Sequence, residues 1–170
     1  MDRTALARHP GTPVWTGLVR DVGNAAEIRA ALLAGDAAYE YAFVDASTIL
    51  SREHLLAAVN RALTDREHDA VRTKNIHSEI VFALSPNGNI SEALRRFGVA
   101  DTTKDLVVVR VGGPAPPVAG LVAGTLEPLT DAALAACVRP DAVRKNYKLK
   151  AADAELGPLV AGAIALRGYL

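Results

Sequence analysis

The hydrophobic pattern is most regular in the central part of the chain, between residues 78 and 111. Residues 79–84 form a short apolar run rich in Ile, Val and Phe, and residues 106–111 are almost unbroken apolar with four valines. Short apolar runs bounded by turn residues are typical of strands that are buried on both faces of a sheet. We therefore predict two internal strands, at 79–84 and at 106–111.

The segment between these two runs has the pattern of a capped helix. Ser-Pro-Asn-Gly at 85–88 ends the first predicted strand, because this combination favours a turn. Asn89 follows as the expected N-cap, with Glu92 at the third helical position, and the helix is expected to end at Gly98. Its apolar residues share one face, as packing on a sheet requires, and they are Ile90, Ala93, Leu94 and Phe97.

The N-terminal half shows the same alternation of strand and helix. Residues 14–20 predict a first strand, and residues 25–34 predict a helix with Asn24 as its N-cap. Ser51 begins a further helix, whose continuous apolar stripe indicates a surface that faces the core.

The C-terminal third is helical in pattern. Thr130 is a capping residue for one helix, and a later amphipathic run places five apolar side chains on one face. Pro158 lies within this run, so either the helix begins there with proline in its first turn, or a helix that starts near Asp153 is kinked. The apolar residues of the run are Leu156, Leu159, Val160, Ala163 and Ile164.

Composition agrees with a single globular domain. The 170 residues are 50% hydrophobic and 22% charged, and a chain of this size buries about 70% of its unfolded surface around one core. Residues 1–12 show no hydrophobic periodicity, so we predict a flexible N-terminal tail there and one domain over 13–170. We expect an α/β fold in which a central mixed β-sheet is flanked by α-helices.

Charge and cysteine content narrow the possible partners and the compartment. The 19 basic and 19 acidic residues cancel, so attraction to nucleic acid must come from a local patch rather than from the whole molecule. The lone Cys137 excludes an internal disulfide. No segment has the hydrophobic character of a signal peptide or a membrane span, so we expect no membrane contact and a cytoplasmic and nuclear location.

Motifs of catalysis are absent from the sequence. The four histidines are scattered, and the chain lacks a Walker loop and the motifs GxGxxG, GxSxG and HExxH. We therefore predict no enzymatic activity, no metal site, no cofactor and no small-molecule substrate. One alternative is a small enzyme that binds an anion at the turn 85–89, because helix N-termini attract phosphate. The competing interpretation is a structural turn whose backbone donors are satisfied by Asn89 and Glu92.

Two basic features are candidates for contact with nucleic acid. Arg72 and Lys74 alternate along the approach to the run at 79–84, with Asn75 beside them, so both cations are expected to face the same ligand. In the second feature Tyr147 stands among cations, as binding of a single strand requires. The leading cations there are Arg144, Lys145 and Lys148. The alternative for this second feature is a solvated helix face whose apolar residues pack inward.

The block SPNGNISEALRRFG at 85–98, preceded by RTKNIHSE at 72–79, resembles the TPRKB family. This family is the small subunit of the KEOPS (EKC) complex that binds the atypical kinase of the complex. The resemblance extends over roughly residues 18–167. Further matching blocks follow in the order and spacing of the family: LVRDVGNAAEIRAAL at 18–32, SREHLLAAVNRAL at 51–63, the turn at 124–125 and VRKNYKL at 143–149.

The resemblance implies a noncatalytic subunit. KEOPS forms N6-threonylcarbamoyladenosine next to the anticodon of tRNA. The TPRKB-like subunit binds the kinase directly, meets the other KEOPS subunits only indirectly, and helps to recruit tRNA through its single-stranded 3′ CCA end. On this basis Arg72 and Lys74 are the first choices for phosphate contacts.

The resemblance also implies a surface for the kinase. This surface is expected either on an exposed edge of the helix at 90–97 or on the C-terminal apolar run, although packing on the sheet is the ordinary use of an apolar stripe. The candidate residues are Ile90, Leu94, Arg95, Phe97, Ile164 and Leu166. A kinase-binding adaptor without RNA contact is the remaining alternative.

Overall fold

The computed structural model describes residues 1–115 and 117–167 of the chain. Five strands in this part form one sheet. They are β1 (Asp2–Thr4), β2 (Val14–Arg20), β3 (Ala42–Asp45), β4 (Leu106–Val111) and β5 (Thr125–Glu127). Their order is β1-β2-β4-β3, and β5 pairs with the second half of β2.

Seven α-helices accompany the sheet in the described residues. They are α1 (Ala25–Ala34), α2 (Arg52–Glu67), α3 (Ile76–Ala83), α4 (Ile90–Phe97), α5 (Asp131–Ala135), α6 (Pro140–Tyr147) and α7 (Asp153–Leu166). Short 3₁₀ turns at Ala37–Tyr39 and Ala46–Thr48 stand on either side of β3. The predicted class, one α/β domain with helices around a central sheet, is confirmed.

The directions of the strands differ from the prediction of a mixed sheet. Each pair among the described strands is antiparallel. Parallel neighbours arise when a strand, a crossover helix and a second strand follow each other along the chain. One of the strands expected to take part in such a unit is a helix, so the expected parallel pair is not formed.

That strand, predicted at 79–84, is the helix α3, and this correction has a clear physical reason. The side chain of Asn75 accepts a hydrogen bond from the Ser78 N–H at 2.9 Å and so caps the helix. Most of α3 is buried, including the whole of 79–83. A helix that is buried on all sides has a continuous apolar run, which periodicity alone does not distinguish from a buried strand.

Strand β4 lies between two hydrophobic cores, as predicted for a strand that is buried on both faces. Val107, Val109 and Val111 belong to the core that contains residues of α2, α3 and α7. Leu106 and Val108 belong to the core on the opposite face, with residues of α1 and the loop at 118–122. The alternation follows from the period of two in a strand.

Residues 1–12, for which we predicted a tail, contribute a strand to the sheet. The three residues of β1 pair with residues 14–16 of β2. Beyond β1, Leu6 and His9 are buried, and the His9 Nδ1 lies 2.8 Å from the Glu67 Oε1 at the end of α2. A strand of three residues is too short to show a hydrophobic period, so the sequence pattern gives no sign of it.

The remaining helix predictions are confirmed at α1, α2, α4 and α5. Ser51, Asn89 and Thr130 cap their helices through side-chain hydrogen bonds. Asn24 instead uses its amide on the loop after β4: it donates to the Leu121 carbonyl and accepts from the Ala123 N–H, both at 2.9 Å. Of the two alternatives for the last helix, the structure has the early start, with Pro158 inside α7.

Candidate functional site

The loop between α2 and α3 carries Arg72 and Lys74, and its backbone is held by one buried carboxylate. Glu79 Oε2 accepts hydrogen bonds from the N–H groups of Arg72 and Thr73, at 3.0 and 2.9 Å, and from the Thr73 hydroxyl at 2.8 Å. Hydrogen bonds to an ionised acceptor are strong, so they hold the loop backbone against Glu79, and the Thr73 hydroxyl proton is shared with the Asn75 carbonyl at 3.0 Å. The side chains of Arg72 and Lys74 are exposed, whereas Asn75 is occupied as the cap of α3.

Arg72 and Arg167 pack on the same aromatic ring. The guanidinium carbon of Arg167 lies 4.0 Å from the centre of the Phe82 ring, and that of Arg72 lies 5.5 Å from it. Both distances are within the range of a cation–π contact. Arg167, near the end of α7, also donates to the Phe82 carbonyl at 2.6 Å, and burial lowers the pKa of its guanidinium. The sequence pattern does not identify Arg167, because a single Arg after an apolar helix carries no recognisable signal.

These arginines border a pocket of about 540 Å³. Its wall includes Arg61, Arg72, Arg167 and the turn at 86–88. Asp65 forms ion pairs with Arg61 at 2.9 Å and with Arg167 at 3.3 Å. Arg72 forms no ion pair with any described residue, so its charge is available to a ligand.

A second pocket of about 700 Å³ lies beside the first, between α2 and α7. The two pockets share Arg61, Asp65 and Ala70. Arg8 and His68 add basic groups to the second pocket. The two pockets therefore adjoin at these shared residues, with Arg72 in the wall of the first, and we refer to the two adjoining pockets together as the groove.

The turn at 85–89 uses several of its own hydrogen-bond donors. The Asn87 N–H donates to the Ser85 hydroxyl, the Asn89 N–H donates to the Asn87 side chain, and the Glu92 N–H donates to the Asn89 side chain. Asn87 also donates to the Glu92 carboxylate at 3.0 Å. These bonds support the interpretation of this segment as a structural turn, and the carboxylate disfavours an anion there.

The second predicted basic group lies on α6 and just after it. Arg144 forms an ion pair with Asp141 at 2.8 Å and donates to the Ala151 carbonyl at 2.9 Å. Lys145 and Lys148 are exposed. Tyr147 is buried and is thus not placed to stack on a base, because its hydroxyl donates to the Leu84 carbonyl and lies 2.9 Å from the His54 Nε2.

The six residues predicted for kinase binding divide by exposure. Phe97 is fully buried against Tyr147, with ring centres 5.7 Å apart, and Ile164 is buried in the core. Ile90 is half-buried. Leu94 is 40% exposed, Leu166 is 50% exposed, and Arg95 is exposed. The predicted residues that remain accessible to a partner are thus Leu94 and Arg95 on α4 and Leu166 on α7, and Leu159 on α7 is also 44% exposed.

Among the described residues, the structure assembles no group of three or more His, Cys, Asp or Glu side chains suited to a metal ion. Burial raises the pKa of the Cys137 thiol to about 11, so this thiol is protonated at neutral pH and is a poor nucleophile. None of the described helices has both the length and the hydropathy to cross a membrane.

Comparison with known proteins gives a consistent result. A family model described as kinase binding protein CGI-121 matches residues 19–168. The chain is 44% identical to an EKC/KEOPS complex subunit CGI121 of Yarrowia lipolytica, over 88% of this chain and 90% of the relative. It is 42% identical to the corresponding subunit of Aspergillus terreus, over 94% and 93% of the two chains. It is 36% identical to that of Schizosaccharomyces pombe, over 96% and 98%.

Proposed function

Since this chain belongs to the CGI-121 family of kinase-binding proteins, we propose that it is a noncatalytic subunit of an EKC/KEOPS complex. In this role it binds the kinase of the complex and helps to recruit tRNA. The reaction that it serves is the formation of threonylcarbamoyladenosine next to the anticodon, in the cytoplasm and the nucleus. Its own contribution is to hold two macromolecules in place.

The observation that carries the proposal of tRNA binding is that Arg72 is held on an ordered loop and has no ion-pair partner among the described residues. The loop of Arg72 is fixed by Glu79, and its guanidinium borders a pocket without a described ion-pair partner. A cation held in this way loses little conformational freedom when it meets a phosphate. Lys74 is exposed two residues further along the same loop. The pair therefore suits the backbone of a single strand.

The groove suits the 3′ end of tRNA in size and in charge. Its two pockets, of about 540 and 700 Å³, are each in the range of pockets that hold small organic ligands. Arg61 lines both pockets but is paired with Asp65, so the cations without an ion pair to a described residue are Arg8 in one pocket and Arg72 in the other. We place the terminal nucleotides of the CCA end in this groove, with Arg72 on a phosphate.

The kinase is proposed to bind on the outer face of α7. Leu159 and Leu166 are seven residues apart and so lie on one side of the helix. Both are substantially exposed, whereas Leu156, Val160 and Ile164 on the neighbouring, inward-facing side of the helix are buried, so the apolar face predicted from the sequence is only partly covered by the core. An exposed pair of leucines on a helix is a suitable centre for a protein interface.

Of the two alternatives from the sequence, the structure disfavours the small enzyme and leaves the adaptor without RNA contact to be tested. The small enzyme is disfavoured, because the donors of the turn at 85–89 that it would use are already bonded within the turn. A kinase-binding adaptor without RNA contact predicts the same α7 surface but no role for Arg72. Measurement of tRNA binding separates this adaptor from the proposed function.

The test compares an unmodified tRNA transcript with the same transcript after removal of the CCA end. The double variant Arg72→Ala, Lys74→Ala is expected to bind the complete tRNA more weakly, with a salt slope reduced by about one for each phosphate that is no longer bound. Binding of the trimmed transcript is expected to be weak for the wild type and little changed by the variant. The matched control is Arg3→Ala, Lys104→Ala, which removes two exposed cations from other parts of the surface.

Circular dichroism melting shows whether each variant is folded. Equal binding of the complete and trimmed transcripts by the wild type would overturn the assignment of the CCA end to this groove. If kinase pull-down succeeds but no tRNA binding is measured, the adaptor without RNA contact is the correct function.

A further inference from the structure

The C-terminal ends of α4 and α6 pack against each other. The rings of Phe97 and Tyr147 pack edge to face, with centres 5.7 Å apart. Beside them, Arg96 Nη1 donates to the Asn146 carbonyl at 3.4 Å. The contact joins two segments that are about fifty residues apart in sequence.

This junction joins two helix ends whose basic residues the sequence had assigned to different partners. Arg95 was a candidate for the kinase, and Lys145 and Lys148 were candidates for tRNA. All three are exposed, and each is adjacent in sequence to a residue of the junction. We name Arg95, Arg96, Lys145 and Lys148 the α4/α6 surface.

The charges of the α4/α6 surface are mostly uncompensated. Arg96 forms an ion pair with Glu92, one turn earlier on α4. Arg95, Lys145 and Lys148 form no ion pair with a described residue. The whole chain has no net formal charge, so this surface is a local excess of positive charge on a neutral molecule.

Stabilisation of the two helix ends does not by itself account for this excess. Cations near a helix C-terminus offset the helix dipole, which amounts to roughly half a unit charge at each end. Two helix ends thus present about one negative charge in total. Three cations without an ion pair exceed this amount, and the remainder is available to an anionic partner.

The chemistry of the surface favours RNA over protein. The centres of protein interfaces are apolar and poor in Lys, whereas phosphate backbones are bound mainly by Lys and Arg. Among its described residues, α6 has no large apolar side chain that is strongly exposed, and α4 has one, Leu94. Lys145 and Lys148 therefore form a surface suited to phosphates.

We propose that the α4/α6 surface binds the phosphate backbone of tRNA at a place separate from the Arg72 loop. The inference rests on the proposed function, because it assumes that the chain recruits tRNA. The Arg72 groove holds the single-stranded end, and the α4/α6 surface contacts the backbone without reading the bases. This assignment moves Arg95 from the kinase interface to the RNA interface.

The experiment uses the full chain, alone and bound to the kinase. The double variant Arg95→Gln, Lys145→Gln is compared with Arg3→Gln, Lys104→Gln, which removes the same charge from exposed positions elsewhere. Lys148 is left intact because its backbone has a positive φ of 55° that closes α6. Affinity for the complete and the CCA-trimmed transcripts is measured over a series of salt concentrations.

The surface variant is expected to bind both transcripts more weakly than the control, with a salt slope smaller by about two. The ratio of wild-type affinity to variant affinity then falls about fourfold with each doubling of the salt concentration. Weakening on the trimmed transcript distinguishes this surface from the Arg72 loop, whose variant changes binding only when the CCA end is present.

Two results would overturn the inference. One is a surface variant whose affinity and salt slope equal those of the control. The other is loss of the kinase in a pull-down with RNA binding retained, which would return Arg95 to a protein interface. Neither result tests the assignment of the CCA end to the groove. That assignment is overturned by a different result, equal binding of complete and trimmed tRNA by the wild type.

Discussion

Glu79 is a buried carboxylate whose hydrogen bonds determine the shape of an exposed loop. Its Oε2 holds the backbone of Arg72 and Thr73, while its Oε1 lies 3.8 Å from the Arg167 Nη2. A charged group without contact to water needs such partners, because an isolated buried charge is strongly unfavourable. One residue thus connects α3, the Arg72 loop and the end of α7.

Glu79→Gln is expected to lower the free energy of unfolding by about 2 kcal/mol, the range for loss of hydrogen bonds to a charged group. If the amide oxygen accepts from the loop, the amide nitrogen must face the Arg167 guanidinium, where it is a second donor without an acceptor. Urea unfolding measures the change. Asp69→Asn, at an exposed position with positive φ that Asn tolerates, is the control. An unfolding curve equal to that of the wild type would show that the carboxylate charge is unimportant.

At the level of elements, capping residues were more informative than hydrophobic runs. Asn89 and Ser51 gave correct helix starts, because a side-chain cap is a local interaction. The run at 79–84 gave the wrong element, because complete burial removes the alternation that separates helix from strand. Asn75, three residues before Ser78, was the local signal for α3. The antiparallel directions of the strands depend on this helix and were missed with it.

The candidate site shows the same division. Arg72 and Lys74 were identified from the sequence as neighbouring cations, but the strand alternation that was expected to place them on one side is absent, because they lie on an irregular loop before a helix. Arg61 and Arg167 were not identified, because they come from α2 and from the end of α7 and meet Arg72 only in the folded chain. Tyr147 was interpreted as an aromatic partner for a base, but its position on the inner face of α6 depends on contacts with His54 and Phe97.

The proposed kinase surface on α7 is best tested by point substitutions. Truncation of α7 would remove Val160 and Ile164 from the core and unfold the chain. Leu159→Ser with Leu166→Ser changes only the exposed side and is expected to weaken kinase binding at least tenfold, as expected for loss of apolar side chains at the centre of an interface. Kinase pull-down and calorimetry measure the loss.

Leu33→Ser, at a leucine of α1 that is 73% exposed, is the control for this double variant. Circular dichroism verifies that each protein is folded. Kinase binding by the double variant that equals binding by this control would exclude the outer face of α7 as the interface.

At the level of the whole molecule, two buried histidines make the stability depend on pH. His54 Nδ1 accepts from the Leu50 N–H at 3.1 Å, and His77 Nε2 accepts from the Val111 N–H at 3.0 Å. Both rings must be neutral to accept these bonds. Burial lowers the pKa of His54 to about 3. Burial, with the charges of Arg110 and Arg66, lowers the pKa of His77 to about 4.

The sign of the effect follows from proton binding. Below the ordinary histidine pKa of 6.5 the unfolded chain takes up protons that the folded chain refuses until about pH 4 for His77 and about pH 3 for His54. The contribution of these two histidines to the free energy of unfolding is therefore full above pH 6.5. It is lost as the pH falls through this window, at about 1.4 kcal/mol per pH unit for each histidine. The loss falls on the junctions that place the candidate surfaces, since His54 holds Tyr147 of α6 and His77 joins α3 to β4.

Replacement of one histidine isolates this contribution from that of the carboxylates. His77→Gln keeps an acceptor for the Val111 N–H but takes up no proton, so its unfolding free energy is expected to fall by about 1.4 kcal/mol per pH unit less than that of the wild type between pH 6 and pH 4.5. Urea unfolding at several pH values measures both slopes, and His68→Gln, at an exposed position, controls for the loss of an imidazole. If the His77→Gln and wild-type proteins show the same slope, the His77 ring is not held neutral by burial, and the acid sensitivity of the α3–β4 junction has another origin.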